Sequence, residues 1–346
     1  MSGAPWGTRD VAGRAATRPT GITLGLVRGL TSASAALLAA VASLYILRPE
    51  WGVAVTVSPL AVWVLIGVVA LVPCMVTSVR RRAIAVMAGW LLLAVLACEE
   101  PRAIMHVARE WPEESWEQAR PSGRALRIIT MNCAGGDERA ASDAMGYEPD
   151  ILLLQEAPGD AETAAVLASV AGYEAARGLD CTIIARGEVR AWERDPRLLR
   201  TTGADVRVEG HSIAAISTHI ELPWTRIDVY RSAAWRAAAA AQASRREEMS
   251  ALADLAIGAP RDVPLVLGGD LNTPAGDRLL RLLPRYLHDA FEEAGTGWPN
   301  TIVSDMPISR IDYIYVSDHF EVRRSVARYT PHSDHRMVIA DVVLRE

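Results

Sequence analysis

Three long apolar stretches dominate the first hundred residues of the chain, at positions 29–47, 53–76 and 83–98. None of them contains a charged residue. As helices that rise about 1.5 Å per residue, the first two are long enough to cross a hydrocarbon layer of about 30 Å. The third reaches only about 24 Å, but it follows directly after two clear spans. The pattern therefore predicts three transmembrane helices.

Arginine residues indicate the orientation of these helices. Two clusters flank the apolar stretches: Arg9, Arg14, Arg18 and Arg28 before the first, and Arg80, Arg81 and Arg82 before the third. Positive residues accumulate on the cytoplasmic side of membrane proteins. Residues 1–28 are thus predicted to form a cytoplasmic tail of a multi-pass protein of the cell membrane, with the lipid bilayer as a partner. Three crossings would place everything after residue 98 outside the cytoplasm, beginning with a juxtamembrane linker at 99–125.

From residue 126 onward the pattern changes to short β-rich runs separated by helical stretches at 161–170 and 225–256. The predicted strands are 127–133, 151–156, 182–186, 206–210, 212–220, 263–270, 311–317, 321–329 and 337–344. Several of these strands are continuous apolar runs, which is typical of strands covered on both faces. Residues 126–346 are therefore predicted to form an α/β domain whose sheets are enclosed by helices.

Charge and cysteine content narrow the classes of function. The net charge of −5 combines a basic N-terminal part with an acidic part after residue 98. Nucleic-acid-binding proteins usually gain affinity from a basic face that neutralises phosphates, so DNA or RNA is the less favoured partner. No pair among the four cysteines has the spacing of a zinc site, and whether Cys133 and Cys181 pair is left open. The sequence indicates no protein partner.

Chemically versatile side chains stand at the ends of the predicted strands. They are Asn132, Glu156, His219, Asp270, Asn272, Asp312, Asp334 and His335. Any one of them alone would be read as a turn former or a structural histidine. Because strand ends meet at one edge of a sheet, however, the whole set is expected to converge.

The residue types in this set suit the hydrolysis of a phosphoester. That reaction needs a hard cation to offset phosphate charge, a base for water, and donors to the phosphate oxygens. Glu156 and Asp334 offer carboxylate oxygens suited to Mg²⁺ or Mn²⁺. Asp270 can orient or deprotonate water, and Asn272 can donate to a phosphate oxygen. Asp312 can hold His335 in one tautomer and favour its imidazolium form.

Six sequence blocks resemble the endonuclease/exonuclease/phosphatase superfamily and together cover nearly all of residues 126–346. They are RIITMNCAG, DILLLQEA, STHIELP, VLGGDLNTP, SRIDYIYVS and HSDHRMV. The resemblance implies a four-layer αββα sandwich in which two packed sheets are flanked by helices. It also implies a divalent-metal-dependent hydrolase that acts on phosphate esters or anhydrides.

The resemblance carries roles onto matching positions. Glu156 corresponds to the principal metal ligand, with Asn132 beside it at the metal and Asp334 as a second metal-site carboxylate. His219 corresponds to a phosphate-contacting residue. The resemblance makes Asp270 and Asn272 the pair that activates water and stabilises the transition state, and Asp312 the partner that orients the catalytic residue His335.

The chain departs from the family pattern at three places. Ser217 stands where the family often has Asn, two residues before the strand-end histidine. A family Arg, with Gln three residues later, is matched only by Arg245 or Arg246 with Glu248, which puts one substrate contact in doubt. The stretch between Glu156 and His219 is short, which suggests a reduced specificity region.

Three N-terminal spans before an outward-facing domain also resemble the VanJ teicoplanin-resistance membrane proteins. That architecture implies a lipid-linked pyrophosphate of the cell envelope, such as undecaprenyl pyrophosphate, as the phosphorylated substrate. Three alternatives remain open: a membrane-tethered extracellular nuclease, a phospholipid phosphodiesterase and a non-catalytic binding module.

Overall fold

The computed structural model describes residues 21–75, 78–98, 100, 120–223 and 231–345. Eight α-helices lie in these ranges: α1 Gly21–Leu47, α2 Val53–Thr56, α3 Leu60–Val69, α4 Arg80–Ala97, α5 Glu138–Met145, α6 Asp160–Ala168, α7 Ser232–Gly258 and α8 Ala290–Ala294. The first six strands are β1 Ala125–Asn132, β2 Ile151–Gln155, β3 Tyr173–Arg177, β4 Thr182–Arg186, β5 Glu188–Ala191 and β6 Thr201–Val208. The other six are β7 His211–His219, β8 Leu265–Asp270, β9 Leu287–Asp289, β10 Asp312–Ser317, β11 Phe320–Arg328 and β12 Met337–Leu344.

The strands form two six-stranded mixed sheets. The first has the order β11-β12-β1-β2-β4-β3 and the second has the order β5-β6-β7-β8-β10-β9. Their facing sides share one apolar core that includes Ile128, Leu153, Val266 and Ile314. The outer face of the first sheet packs on α5 and α6, and that of the second packs on α7. The predicted α/β sandwich of two sheets flanked by helices is thus confirmed.

All nine predicted strands are present, with ends that shift by a few residues. The structure adds β3, β5 and β9, which are short and carry exposed or charged positions that mask an apolar pattern. The predicted helix at 225–256 corresponds to α7, which begins at Ser232, while residues 224–230 lie outside the described part. Cys133 and Cys181 are both buried free thiols.

The N-terminal helices pack against one another around a polar contact. The indole Nε1 of Trp90 in α4 donates to Ser34 Oγ in α1 at 3.0 Å, and Ser34 Oγ donates to the Gly67 carbonyl of α3 at 3.0 Å. A Cβ atom at Gly67 would lie 2.1 Å from the Trp90 ring, so only glycine permits this close approach. Around this contact the N-terminal helices share an apolar core that includes Leu71 and Cys74.

The structure corrects the predicted number of membrane spans. Among the described residues, only one helix, Leu24–Leu47, is long and apolar enough to cross a membrane. The predicted span at 53–76 is interrupted at Pro59, where the chain is extended between α2 and α3. The predicted span at 83–98 lies in α4, whose 18 residues include three arginines. Of the predicted tail, residues 21–28 belong to α1, and most of the predicted linker lies outside the described residues.

The interruption of the second apolar stretch has a tertiary cause. All four residues of α2 are buried, and Val53 and Ala54 pack against Ala238 and Trp235 of α7. This part of the stretch thus covers the α/β domain. Apolar composition alone does not distinguish burial in protein from burial in lipid, since both remove the same surface from water.

Candidate active site

The register of the strands brings the predicted residues to one rim. His219 at the end of β7 pairs with Asp270 at the end of the parallel strand β8. Asp312 at the start of the antiparallel strand β10 also pairs with Asp270. In the other sheet, Asn132 ends β1 beside Gln155 of β2, and Glu156 follows. The predicted convergence of strand ends is therefore observed for these five side chains.

Asn132 connects the two sheets at this rim. Its amide nitrogen donates to Asp270 Oδ2 at 3.2 Å and to Glu156 Oε1 at 3.3 Å. Its amide oxygen accepts from the Ala134 backbone N–H at 3.0 Å. Asn132 therefore holds the two carboxylates next to each other through its amide nitrogen.

Two residues of the site have left-handed backbone conformations. Glu156 has φ 44° and Asn272 has φ 46°. Such conformations are uncommon for residues other than glycine and persist where the surroundings fix them. Glu156 Oε2 accepts from the Gly135 N–H at 2.5 Å, and the Asn272 amide donates to the Ile220 carbonyl at 2.9 Å. Both side chains are thereby aimed by backbone groups of neighbouring loops.

His335 and Asp312 form a buried pair. His335 Nδ1 lies 2.9 Å from Asp312 Oδ2, and His335 Nε2 lies 3.8 Å from Asp270 Oδ2. Burial opposes the charged imidazole, but the adjacent Asp312 carboxylate outweighs it and raises the pKa of His335 to about 10. The predicted role of Asp312, to favour the imidazolium form of His335, agrees with this geometry.

Asp270 is the central carboxylate of the site and is 2% exposed. Burial, together with the nearby negative charge of Asp312, raises the pKa of Asp270 to about 6. His335 and His219 oppose this rise, as does the Asn272 N–H that donates to Asp270 Oδ1 at 2.8 Å. A carboxylate with a pKa near neutrality can accept a proton from water more readily than an ordinary aspartate.

Asp180 is a site residue that the sequence did not indicate. Its Oδ2 lies 2.9 Å from His219 Nδ1, while His219 Nε2 faces Asp270 Oδ2 at 3.8 Å. Burial opposes the charged form of His219, but the Asp180 carboxylate outweighs it and raises the pKa of His219. Asp180 lies in the turn between β3 and β4, where an Asp is ordinarily a turn former. Only the tertiary structure brings it to His219.

Asp180→Asn should lower kcat/KM about 10- to 100-fold, the equivalent of one charge-assisted hydrogen bond of about 1.5–3 kcal/mol. Because the pKa of His219 falls when Asp180 loses its charge, the alkaline limb of the pH–rate profile should move to lower pH. The exposed Asp205 provides the control, Asp205→Asn. If the rate falls but the alkaline limb of the pH–rate profile does not move, Asp180 has only a structural role and does not set the pKa of His219.

The remaining predicted residues also reach the site. Asp334 and His335 line the same cavity as Glu156, His219, Asp270 and Asn272. Ser333 Oγ donates to the Asn132 carbonyl at 2.7 Å and fixes this loop beside β1. Ser217, the first departure from the family pattern, is buried and accepts from the Gln155 amide at 3.0 Å. It supports the strand behind the site.

Arg245 has a structural role beneath the site. It is 1% exposed and donates to the backbone carbonyls of Glu221 at 2.9 Å and Asn272 at 2.7 Å. It also donates to Thr273 Oγ1 at 2.6 Å. Glu248 accepts from the Glu221 N–H at 2.9 Å. These residues shape the loops that carry Asn272, whereas Arg246 is exposed.

The donor chemistry of the site fits a hard divalent cation. The cavity presents the oxygen donors Glu156, Asp334 and Asp270, which are the ligands that Mg²⁺ and Mn²⁺ prefer. Ligand atoms of Asp270, Asp312 and His335 also lie within 4.8 Å of one another. We interpret that trio as a hydrogen-bonded Asp312–His335 pair beside Asp270, because Asp312 and His335 are already engaged with each other. Glu156 and Asp334 are the better candidates for metal ligands.

The model of the endonuclease/exonuclease/phosphatase family matches residues 129–335, more than half of the chain. The chain therefore belongs to this family, whose members are phosphoesterases and nucleases that typically depend on divalent metals. No curated protein matched the chain.

Solved structures share the fold at low identity. An endonuclease/exonuclease/phosphatase from Bacteroides vulgatus is 17% identical, with 64% of this chain and 99% of that chain covered and a TM-score of 0.50. One from Beutenbergia cavernae DSM 12333 is 17% identical, with 64% and 72% covered and a TM-score of 0.50. The mannosyl-6-phosphatase of Bacteroides thetaiotaomicron VPI-5482 is 16% identical, with 63% and 100% covered and a TM-score of 0.48. At these identities the likeness concerns the fold alone.

Proposed function

We propose that the protein is a membrane-anchored, divalent-metal-dependent hydrolase of phosphoester or phosphoanhydride bonds. The observation that carries this proposal is the convergence of Asp270, His335 and His219 around one point, with Nε2 of each histidine 3.8 Å from Asp270 Oδ2. A base flanked by two imidazoles is suited to activate water beside an anionic phosphate.

In the proposed reaction, Asp270 orients the attacking water and accepts its proton. The imidazolium of His335 faces the developing negative charge on the phosphate oxygens, and Asp312 keeps it protonated. His219, held by Asp180, contacts the phosphate, and the amide of Asn272 donates to it. Glu156 and Asp334 would hold the cation, which when bound offsets phosphate charge.

Two observations support a membrane anchor and an active site outside the cytoplasm. The apolar helix Leu24–Leu47 follows Arg9, Arg14 and Arg18, so a single crossing with these residues in the cytoplasm would put the catalytic domain outside. At the end of that helix, Arg48 Nη2 donates to the Ala275 carbonyl at 3.3 Å, in the loop that follows Asn272. The active site would then lie close to the membrane surface.

Closeness to the membrane favours a substrate that resides there, and we propose a lipid-linked pyrophosphate of the cell envelope. This substrate agrees with the architectural resemblance to the VanJ proteins, although one described helix, rather than three, meets the requirements of a span. An enzyme anchored beside its substrate meets it by diffusion in two dimensions, without extraction of the lipid from the bilayer.

The proposal would be tested with the full chain in detergent micelles and Mg²⁺, by phosphate release from undecaprenyl pyrophosphate and by strand cleavage of single-stranded and duplex DNA. We expect chelator-sensitive release from the lipid pyrophosphate, and a drop of about 10²- to 10⁴-fold with His335→Ala. The half-buried His211, at the opposite end of β7 from His219, supplies the control, His211→Ala. Cleavage of DNA without turnover of the lipid would mean that the protein is a tethered nuclease and not a lipid phosphatase. If no metal-dependent hydrolysis is detected, the non-catalytic binding module would become the favoured function.

A further inference from the structure

The cavity that contains the catalytic residues has a second wall built by the N-terminal segment. It encloses about 750 Å³, within the range of about 300–1,000 Å³ usual for small-molecule sites. The N-terminal side chains on this wall are Ala54, Val57, Ser58, Pro59, Val62 and Trp63. They are mainly apolar and line the same cavity as Asp270 and His335. We call residues 54–63 the apolar wall.

Contacts on both sides hold the apolar wall in place. Its first part is buried against Ala238 of α7, and the Trp51 ring lies 6.0 Å from that of Trp235. The Tyr45 hydroxyl donates to the Ser58 carbonyl. The Trp63 indole Nε1 donates to the Val55 carbonyl at 3.4 Å, which orients its ring. The apolar wall is therefore held in place by contacts within the protein and does not depend on a ligand to order it.

The apolar character continues to the mouth of the cavity. Leu222 and Ile308, which line the cavity from the catalytic domain, are 67% and 41% exposed, and Val62 is 44% exposed. A phosphate group at Asp270 would thus leave the rest of a substrate between apolar surfaces. Among the described residues of this part of the cavity, few polar side chains are available to compensate sugar or nucleoside groups for the hydration that they would lose.

From this continuity we infer that the apolar wall determines specificity, and that it binds an apolar chain joined directly to the scissile phosphate or pyrophosphate. This inference rests on the proposed hydrolase function and adds the residues that select the substrate. The chain lies along Val57, Val62 and Trp63 and leaves the cavity between Leu222 and Ile308. The N-terminal segment is then part of the active site as well as an anchor.

Alkyl diphosphates with two and twelve carbons would test the wall, with the full chain in detergent micelles and Mg²⁺. For Val62→Ser we expect the ratio of kcat/KM for the long chain to that for the short chain to fall about 5- to 30-fold, as one apolar contact is lost. Val69→Ser changes an exposed valine of the same helix α3 that does not line the cavity, and it should keep the wild-type ratio. Equal losses on both substrates, or an unchanged ratio for Val62→Ser, would overturn the inference.

A second measurement keeps the inference testable if neither diphosphate is hydrolysed. Dodecyl phosphate with a diazirine in the middle of its chain would be photolysed with the full-length Asp270→Asn protein and the labelled residues mapped by mass spectrometry. We expect label on residues 57–63, reduced by excess dodecyl phosphate and not by ethyl phosphate. Label confined to other parts of the chain would refute the apolar wall, whereas failure of hydrolysis with label in place would refute only the proposed reaction.

Discussion

Asp270→Asn should strongly slow hydrolysis and at the same time stabilise the folded protein when no cation is bound. The rate should fall about 10²- to 10⁴-fold, because an amide cannot accept the proton of water. The pKa of Asp270 in the folded protein, about 6, lies above its usual value of 3.8, so the folded state loses stability as pH rises between these values. Above pH 6 the full penalty of about 3 kcal/mol applies, and asparagine removes it.

Chemical denaturation in detergent with chelator present would measure this effect at pH 4 and pH 7.5. The variant should exceed the wild type in free energy of unfolding at pH 7.5 by up to about 3 kcal/mol, with a small difference at pH 4. Asp262→Asn removes an exposed carboxylate and serves as the control, for which neither rate nor stability should change. A variant that retains most of its activity would exclude Asp270 as the base.

Arg245→Met should destabilise the protein by about 3–5 kcal/mol, among the larger effects of a single substitution. The guanidinium satisfies the carbonyls of Glu221 and Asn272 and the side chain of Gln242, all within 3.0 Å. Methionine fills much of the same volume but donates to none of these acceptors, which then remain buried without partners. Loss of this support should also displace Asn272 and lower kcat/KM.

Thermal and chemical unfolding of the full chain would measure the change, with Arg246→Met as the matched control. Arg246 is the next residue along α7 and is exposed, so its substitution should alter stability by less than about 0.5 kcal/mol. Similar unfolding curves for both variants would mean that Arg245 is dispensable and that the loop after β8 is held by other contacts.

Much of the catalytic centre could be predicted from sequence because it follows from strand geometry. Asn132, His219 and Asp270 each end a strand, and Asp312 begins one, so a correct assignment of strands places them at one rim. Asp180 and Arg245 could not be assigned in this way. Their roles depend on hydrogen bonds to partners 39 and 27 residues away in sequence, which no local pattern records.

The sequence by itself determined the α/β domain, the convergence of the site residues and the presence of an apolar N-terminal segment, while the arrangement in two sheets was implied by the family resemblance. Short apolar runs and the polar residues at their ends are local properties of the sequence, so they can be recognised without knowledge of the rest of the fold. Only the tertiary structure decided that the second apolar stretch turns at Pro59, packs on α7 and faces the catalytic residues. The hydrophobic effect drives an apolar stretch out of water. Its packing partners decide whether it is buried in lipid, against another helix or in the wall of an active site.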